Sequence, residues 1–273
     1  MSPCTTPRLL FACLALALAA TASAATQTLG PAADAFVSSN PAQNALGTAT
    51  ISNSNFGSAG ALGVSAAGMA KGEFDSLLRF DFSGAKAGFD STLGAGLWAI
   101  TSVTLQLTLT APNNAFFNGN GAGAGGTNVN SAGAVAVKWM QNDSWVEGLG
   151  TPAAPTLTGI TFSTLPTFLS VADESLGLFS FSSATSGNIT LTLGLTPAFL
   201  ADATAGSTVS LLMQPGDSAV ATLADSQNFT SNATFRPVLT VTANPVPEPG
   251  AMMLIATGSL GWFAMRRRHA RKA

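Results

Sequence analysis

Residues 103–110 read VTLQLTLT, so that Val103, Leu105, Leu107 and Leu109 alternate with Thr104, Gln106, Thr108 and Thr110. Side chains of a strand point to opposite faces in turn, which makes this stretch a strand with one aliphatic and one polar face. A second run repeats the pattern, with Ile189, Leu191, Leu193 and Leu195 set against Thr190, Thr192, Gly194 and Thr196. Shorter alternations occur at Leu78-Phe80-Phe82, Val135-Val137-Trp139, Val209-Leu211-Met213 and Leu239-Val241. Gly, Pro and Asn clusters separate them, and no long helical periodicity intervenes. The expected fold is all-β, an antiparallel β-sandwich of jelly-roll type over residues 25–245.

Two stretches break the alternation. Residues 113–133 (NNAFFNGNGAGAGGTNVNSAG) form a glycine-rich loop expected to be a flexible insertion. It lacks the Gly-Lys-Ser/Thr of a phosphate-binding loop and the recurrent Asp of a calcium-binding repeat. Residues 163–178, which include Asp173 and Glu174, are expected to be a second irregular connection.

The rarer residue types exclude the most chemistry. Tyr is absent, the one His is His269 near the C-terminus, and both cysteines, Cys4 and Cys13, lie within the first 24 residues. Once the ends are removed, no Cys, His or Tyr is left. Nucleophilic machinery of the Ser-His-Asp or Cys-His kind is then excluded, as are zinc, haem and iron–sulfur sites built on His or Cys. Between Ala25 and Pro247 five basic residues face twelve carboxylates, a net charge of −7. An acidic domain of this kind is unsuited to nucleic acid and to anionic lipid.

Both ends read as processing signals. Arg8 precedes the apolar run LLFACLALALAA and the small-residue stretch that follows it, giving a secretory signal peptide over 1–24 cut between Ala24 and Ala25. The bulky Phe11 beside Cys13, inside the apolar run, argues against a lipidated cysteine. At the other end Val246 leads into Pro247, Glu248 and Pro249. A short apolar segment follows at 250–265, then a basic tail at 266–272 that opens with Arg266, Arg267 and Arg268. The prolines stop any preceding strand. The apolar segment is just long enough to act as a transient transmembrane helix, and the arginines fix its cytoplasmic end. A cell-wall sortase motif is missing, and a glycolipid-anchor signal would lack the basic end.

Pro-Glu-Pro, a short apolar helix and an arginine cluster, in that order over 246–273, resemble the PEP-CTERM sorting signal. The resemblance implies export across the inner membrane of a Gram-negative bacterium with an envelope rich in extracellular polysaccharide. It also implies a brief stay in the membrane through the C-terminal segment, and removal of that segment by the membrane protease exosortase, with Pro247, Glu248 and Pro249 as recognition residues.

Five pieces of the interior resemble, in order, the DNRLRE-type domain of bacterial surface proteins. They are ADAFV from Ala33, NFGS from Asn55, SLLRFD from Ser76, NDSWVEG from Asn142 and FRPVLTV from Phe235. The resemblance implies a jelly roll related to carbohydrate-binding modules, and hence polysaccharide as a partner. The chain departs from the family at 225–228, where Asp225, Ser226, Gln227 and Asn228 replace a charged Ser-Arg-Glu stretch.

Trp145, flanked by Asp143 and Glu147, either stacks on a sugar with the carboxylates accepting hydroxyl hydrogen bonds, or caps the edge of the sandwich. Asp143 with Glu147, or Asp173 with Glu174, are the pairs a glycoside-cleaving enzyme would use. Structural calcium would draw on Asp34, Glu73, Asp75 and Asp81. Arg79 points away from the face of Leu78 and Phe80 and is expected to pair with Asp81. The expected protein is a non-enzymatic surface or matrix protein without catalytic residues. A carbohydrate-binding module is the alternative, and a glycosidase the more remote one.

Overall fold

The computed structural model describes residues 23–69, 71–110 and 131–246. The signal peptide up to residue 22, the glycine-rich insertion from 113 to 130 and the sorting segment 247–273 lie outside the described residues. Among the described residues there are eleven strands, all paired antiparallel, and two short α-helices. In chain order they are β1 (Ala25–Leu29), β2 (Ala33–Ser38), β3 (Ala61–Ser65), β4 (Phe74–Asp81), α1 (Ser83–Leu93), β5 (Trp98–Leu109), β6 (Gly133–Met140), β7 (Glu174–Phe181), β8 (Gly187–Thr192), α2 (Pro197–Ala205), β9 (Thr208–Pro215), β10 (Ala221–Asp225) and β11 (Val238–Pro245). No helix among them is long and apolar enough to cross a membrane.

The hydrogen-bonded path is β1-β11-β5-β10-β3-β4-β9-β6-β7, with β2 beside β4 and β8 beside β5. Two joints in this path are single residue pairs, Ala224 with Leu109 and Ser65 with Phe74. The β3–β10 ribbon therefore links two larger sheets, β1-β11-β5-β8 and β2-β4-β9-β6-β7, that pack as a sandwich. The main core draws on both: Val103, Leu105 and Leu107 of β5 and Leu239 and Val241 of β11 share one cluster with Leu78 and Phe80 of β4 and Val209 and Leu211 of β9. Burying these aliphatic rows removes apolar surface from water at roughly 25 cal/mol per Å², the main force closing the sandwich.

β2 and β4 depart from simple alternation because both of their faces are covered. All six residues of β2 are buried, and on β4 the row Leu78, Phe80 faces the main core while Leu77 faces a second cluster. That second cluster includes Ala35, Met140, Trp145, Ile160, Leu165 and Leu212. The connection between β6 and β7 thus lies as a third layer over the outside of the β2-β4-β9-β6-β7 sheet.

Several sequence expectations are corrected in detail. Residues 163–178 are irregular only in part, since β7 starts at Glu174. The glycine-rich stretch ends earlier than 133, because Ser131 bridges to Ala221 and Gly133 opens β6. Helices occur, though short. α1 ends at Gly94 and α2 at Gly206, both at positive φ that glycine alone adopts without strain.

Candidate functional site

Arg79, on the outer row of β4, lies beneath the β6–β7 connection. Its Nη1 donates to the carbonyl oxygens of Asp143 at 3.0 Å and Trp145 at 2.6 Å, and its guanidinium carbon sits 4.8 Å from the centroid of the Trp145 ring. Trp145 is 0% exposed, and its Nε1 donates to Ser210 Oγ at 2.9 Å. A ring without exposed surface offers no face to a sugar, so of the two roles open to Trp145 the structural one fits, with the ring buried beneath the loop. Arg79 does not take Asp81 as its partner. Asp81 Oδ1 instead accepts from Ser83 N at the head of α1.

Asn55 fixes the same connection from the other side. Its Nδ2 donates to the carbonyl oxygens of Glu147 and Ile160 at 2.6 and 2.8 Å, while its Oδ1 accepts from the amides of Gly57 and Gly150, each at 3.1 Å. The approach requires glycine: a Cβ at Gly57 would lie 2.1 Å from the Glu147 carbonyl oxygen, and one at Gly150 1.8 Å from that of Asn55.

Held in this way, the Glu147 side chain reaches the turn after β10. Its Oε1 accepts from Gln227 Nε2 and Asn228 Nδ2, both at 2.8 Å. Asn228 Nδ2 also donates to the Gly57 carbonyl at 2.9 Å. Beneath the turn, Asp34 Oδ2 accepts from Gln227 N at 2.6 Å, while Oδ1 is buried without a hydrogen-bond partner among the described residues. Burial, reinforced by the nearby Glu147 charge, raises the Asp34 carboxyl to about 7, against the pull of the Gln227 amide.

Gln227 and Asn228 line an open depression of about 580 Å³ whose other walls include Gly30, Pro31, Arg236 and Pro237. Arg236 Nε and Nη2 both donate to the Phe229 carbonyl at 3.3 Å. Phe229 and Phe235 stack with centroids 6.2 Å apart, and Phe235 is 38% exposed. Of the three residues singled out around Trp145, only Glu147 contributes to this region. Asp143 stays with Arg79 and Ser210, its carboxyl raised by burial.

The four proposed calcium ligands do not converge. In the β2–β4 register Asp34 stands opposite Leu78 and Asp75 opposite Val37, so the two carboxylates lie on opposite faces of the strand pair. Asp81 is engaged at α1. No group of three or more Asp, Glu, His or Cys residues placed to hold an ion occurs among the described residues. The second carboxylate pair is divided between two structural tasks. Asp173 accepts from the amides of Gln141 and Ser170, and Glu174 Oε2 accepts from the amides of Ala198 and Phe199 at the start of α2.

The sequence alone does not single out Gln227, Asn228 and the stacked phenylalanines as a site. The available signal is that FRPVLTV and the 225–228 stretch sit beside one another once the last two strands are placed. Asn55 is legible only as part of a motif, with no indication of its four bonds.

Residues 245–268 match the PEP-CTERM protein-sorting motif. The match starts at Pro245, the last residue of β11, which pairs with Trp98, and Val246 N donates to the Leu97 carbonyl at 2.8 Å. No curated protein matches the chain. The motif marks a chain that is exported, anchored transiently in the membrane and processed by exosortase.

Proposed function

We propose that the chain is a non-enzymatic surface protein, sorted by exosortase, with a structural or adhesive role in an extracellular polysaccharide layer. The observation that carries this reading is the sorting motif at 245–268, which directly continues the last strand of the sandwich. The fold runs up to the motif without a spacer, since Val246 N is still hydrogen-bonded to the chain before β5. A non-enzymatic role is supported by the absence of Cys, His and Tyr between Ala25 and Val246, and by the engagement of Glu147, Asp173 and Glu174, three of the four carboxylates a glycosidase would draw on, with backbone or side-chain amides.

A second reading, a carbohydrate-binding module with the jelly-roll arrangement that the DNRLRE resemblance implies, is favoured by the amide-lined depression at Gln227 and Asn228.

The sorting reading is tested by expressing the full chain in a Gram-negative host that has exosortase and measuring the intact mass of the exported product. The expected product starts at Ala25 and has lost the segment after the Pro-Glu-Pro motif, whereas Glu248→Gln or Pro249→Ala accumulates uncut chain in the membrane fraction. Full-length chain in the presence of exosortase, or normal trimming of both variants, would overturn it.

A further inference from the structure

The β1–β11 ribbon gives the domain a direction. Its register pairs Ala25 with Ala243 at one end and Leu29 with Leu239 at the other. The signal-peptide junction and the sorting motif therefore leave the sandwich at the same end. Gly30 and Pro31, which follow β1, and Pro237 and Val238, at the start of β11, all line the depression at the opposite end. At about 3.4 Å per residue, the path from Val238 to Val246 is roughly 27 Å.

The chemistry of the depression is set by Glu147. A carboxylate oxygen only accepts, so it takes the NH2 groups of Gln227 and Asn228 and thereby fixes the orientation of both amides. Their side-chain oxygens accept no bond from another described residue. A ligand therefore meets two oriented acceptors backed by the carboxylates of Glu147 and Asp34, against the single positive charge of Arg236 in the same wall, an arrangement that favours hydroxyl donors over anions. Phe235, stacked on Phe229 and 38% exposed, lies in the chain between the lining residues Ala233 and Arg236 and offers an apolar surface suited to the C–H face of a sugar ring.

We propose that this depression binds a segment of neutral, hydroxyl-rich polysaccharide and presents it on the side of the domain away from the membrane while the chain is tethered. The site rests on the surface-protein reading above and gives it a ligand class.

The test uses the chain from Ala25 to Val246, which contains all eleven strands and the three apolar clusters described among these residues. Calorimetric titration with soluble neutral glucan and galactomannan oligosaccharides is run beside alginate in EDTA, and amide NMR shifts map the contact. Saturable binding of a neutral probe is expected, with shifts at Gly30, Gln227, Asn228 and Arg236. Gln227→Met, which keeps length but loses the acceptor, and Phe235→Ser, which alters an exposed ring, should each weaken binding about tenfold. The melting temperature of Phe235→Ser should stay near that of the parent, separating lost contact from lost fold. Absence of saturable binding to either neutral probe, shifts confined to another face, or tighter binding of alginate than of the neutral probes would overturn the proposal. The sorting reading is judged separately, by the mass of the exported product, so the two fail independently.

Discussion

Arg79 holds Trp145 twice, donating to its carbonyl oxygen at 2.6 Å and lying with its guanidinium carbon 4.8 Å from the ring centroid. One planar cation thus satisfies two loop carbonyls and covers a buried indole. Lysine keeps the charge but has no planar fork. Arg79→Lys should therefore lower stability by about 1–3 kcal/mol, and Arg79→Met by more, because two carbonyls lose their donor. Urea denaturation of the three proteins measures this. An Arg79→Lys midpoint equal to the parent's would show that the fork contributes nothing.

Asn55 ties the NFG segment to the β6–β7 connection by donating to the Glu147 and Ile160 carbonyls and accepting from the Gly150 amide, and it accepts a further bond from Gly57 within its own segment. Asn55→Ala leaves several buried backbone groups without partners, at about 1–3 kcal/mol for each group that water cannot reach. Gly57→Ala drives a methyl into the Glu147 carbonyl and should have a similar result through sterics. Both variants should lose amide hydrogen-exchange protection at Gly57, Gly150 and Ile160 before the main core opens. Uniform loss of protection across β5 and β11 would instead mean that the outer layer and the core unfold as one unit.

Three buried carboxyls give stability an unusual pH dependence. Burial raises Asp34 and Asp75 to about 7, with Glu73 adding to the effect at Asp75, and burial raises Asp225 to about 6. A carboxyl whose folded value lies above its unfolded value of 3.8 binds more protons in the native state. Stability therefore falls as pH rises from roughly 4 through 7 and levels off above that. Carboxyls held below their usual range, such as Asp217 with its bonds from the Ala219, Ala134 and Val220 amides, act in the opposite sense only in more acidic solution. The melting temperature should be higher near about pH 5 than near about pH 8, and Asp75→Asn should flatten that difference by raising the value at the alkaline end. A melting temperature that climbs from the lower pH to the higher would refute the sign.

The strands that the sequence announces alternate apolar with polar residues, whether the polar row meets water, as along β5, or meets the covering loop, as Arg79 of β4 and Ser210 of β9 do. Alternation at 103–109 lies within β5, and the short rows at Val135, Val209 and Leu239 lie in β6, β9 and β11. β2 gives no period-two signal because all six of its residues are buried, so no polar face marks the alternate positions. The pattern overstates the extent of β8: Leu193 and Leu195 continue it beyond Thr192, where the ladder ends, although Leu193 remains in the main core. The polar site is harder to read. Glu147, Asp34 and Gln227 are far apart in sequence, and neither composition nor spacing shows that a glycine-lined crossing at Asn55 brings them into contact.

Glu147 and Asp34 are coupled through this site, and the coupling can be measured. Glu147 raises the Asp34 carboxyl by its charge, as a contribution smaller than that of burial. Glu147→Gln removes the charge while keeping an oxygen able to accept from Gln227 or Asn228. The Asp34 titration midpoint, followed by carboxyl carbon NMR, should move down from about 7 but remain above the ordinary aspartate value of 3.8, because burial persists. The variant should also regain some stability above neutral pH, where both carboxylates are otherwise charged. An unchanged or higher midpoint would mean that solvent screens the pair, and that the amide turn is held by hydrogen bonding to Glu147 without electrostatic coupling to Asp34.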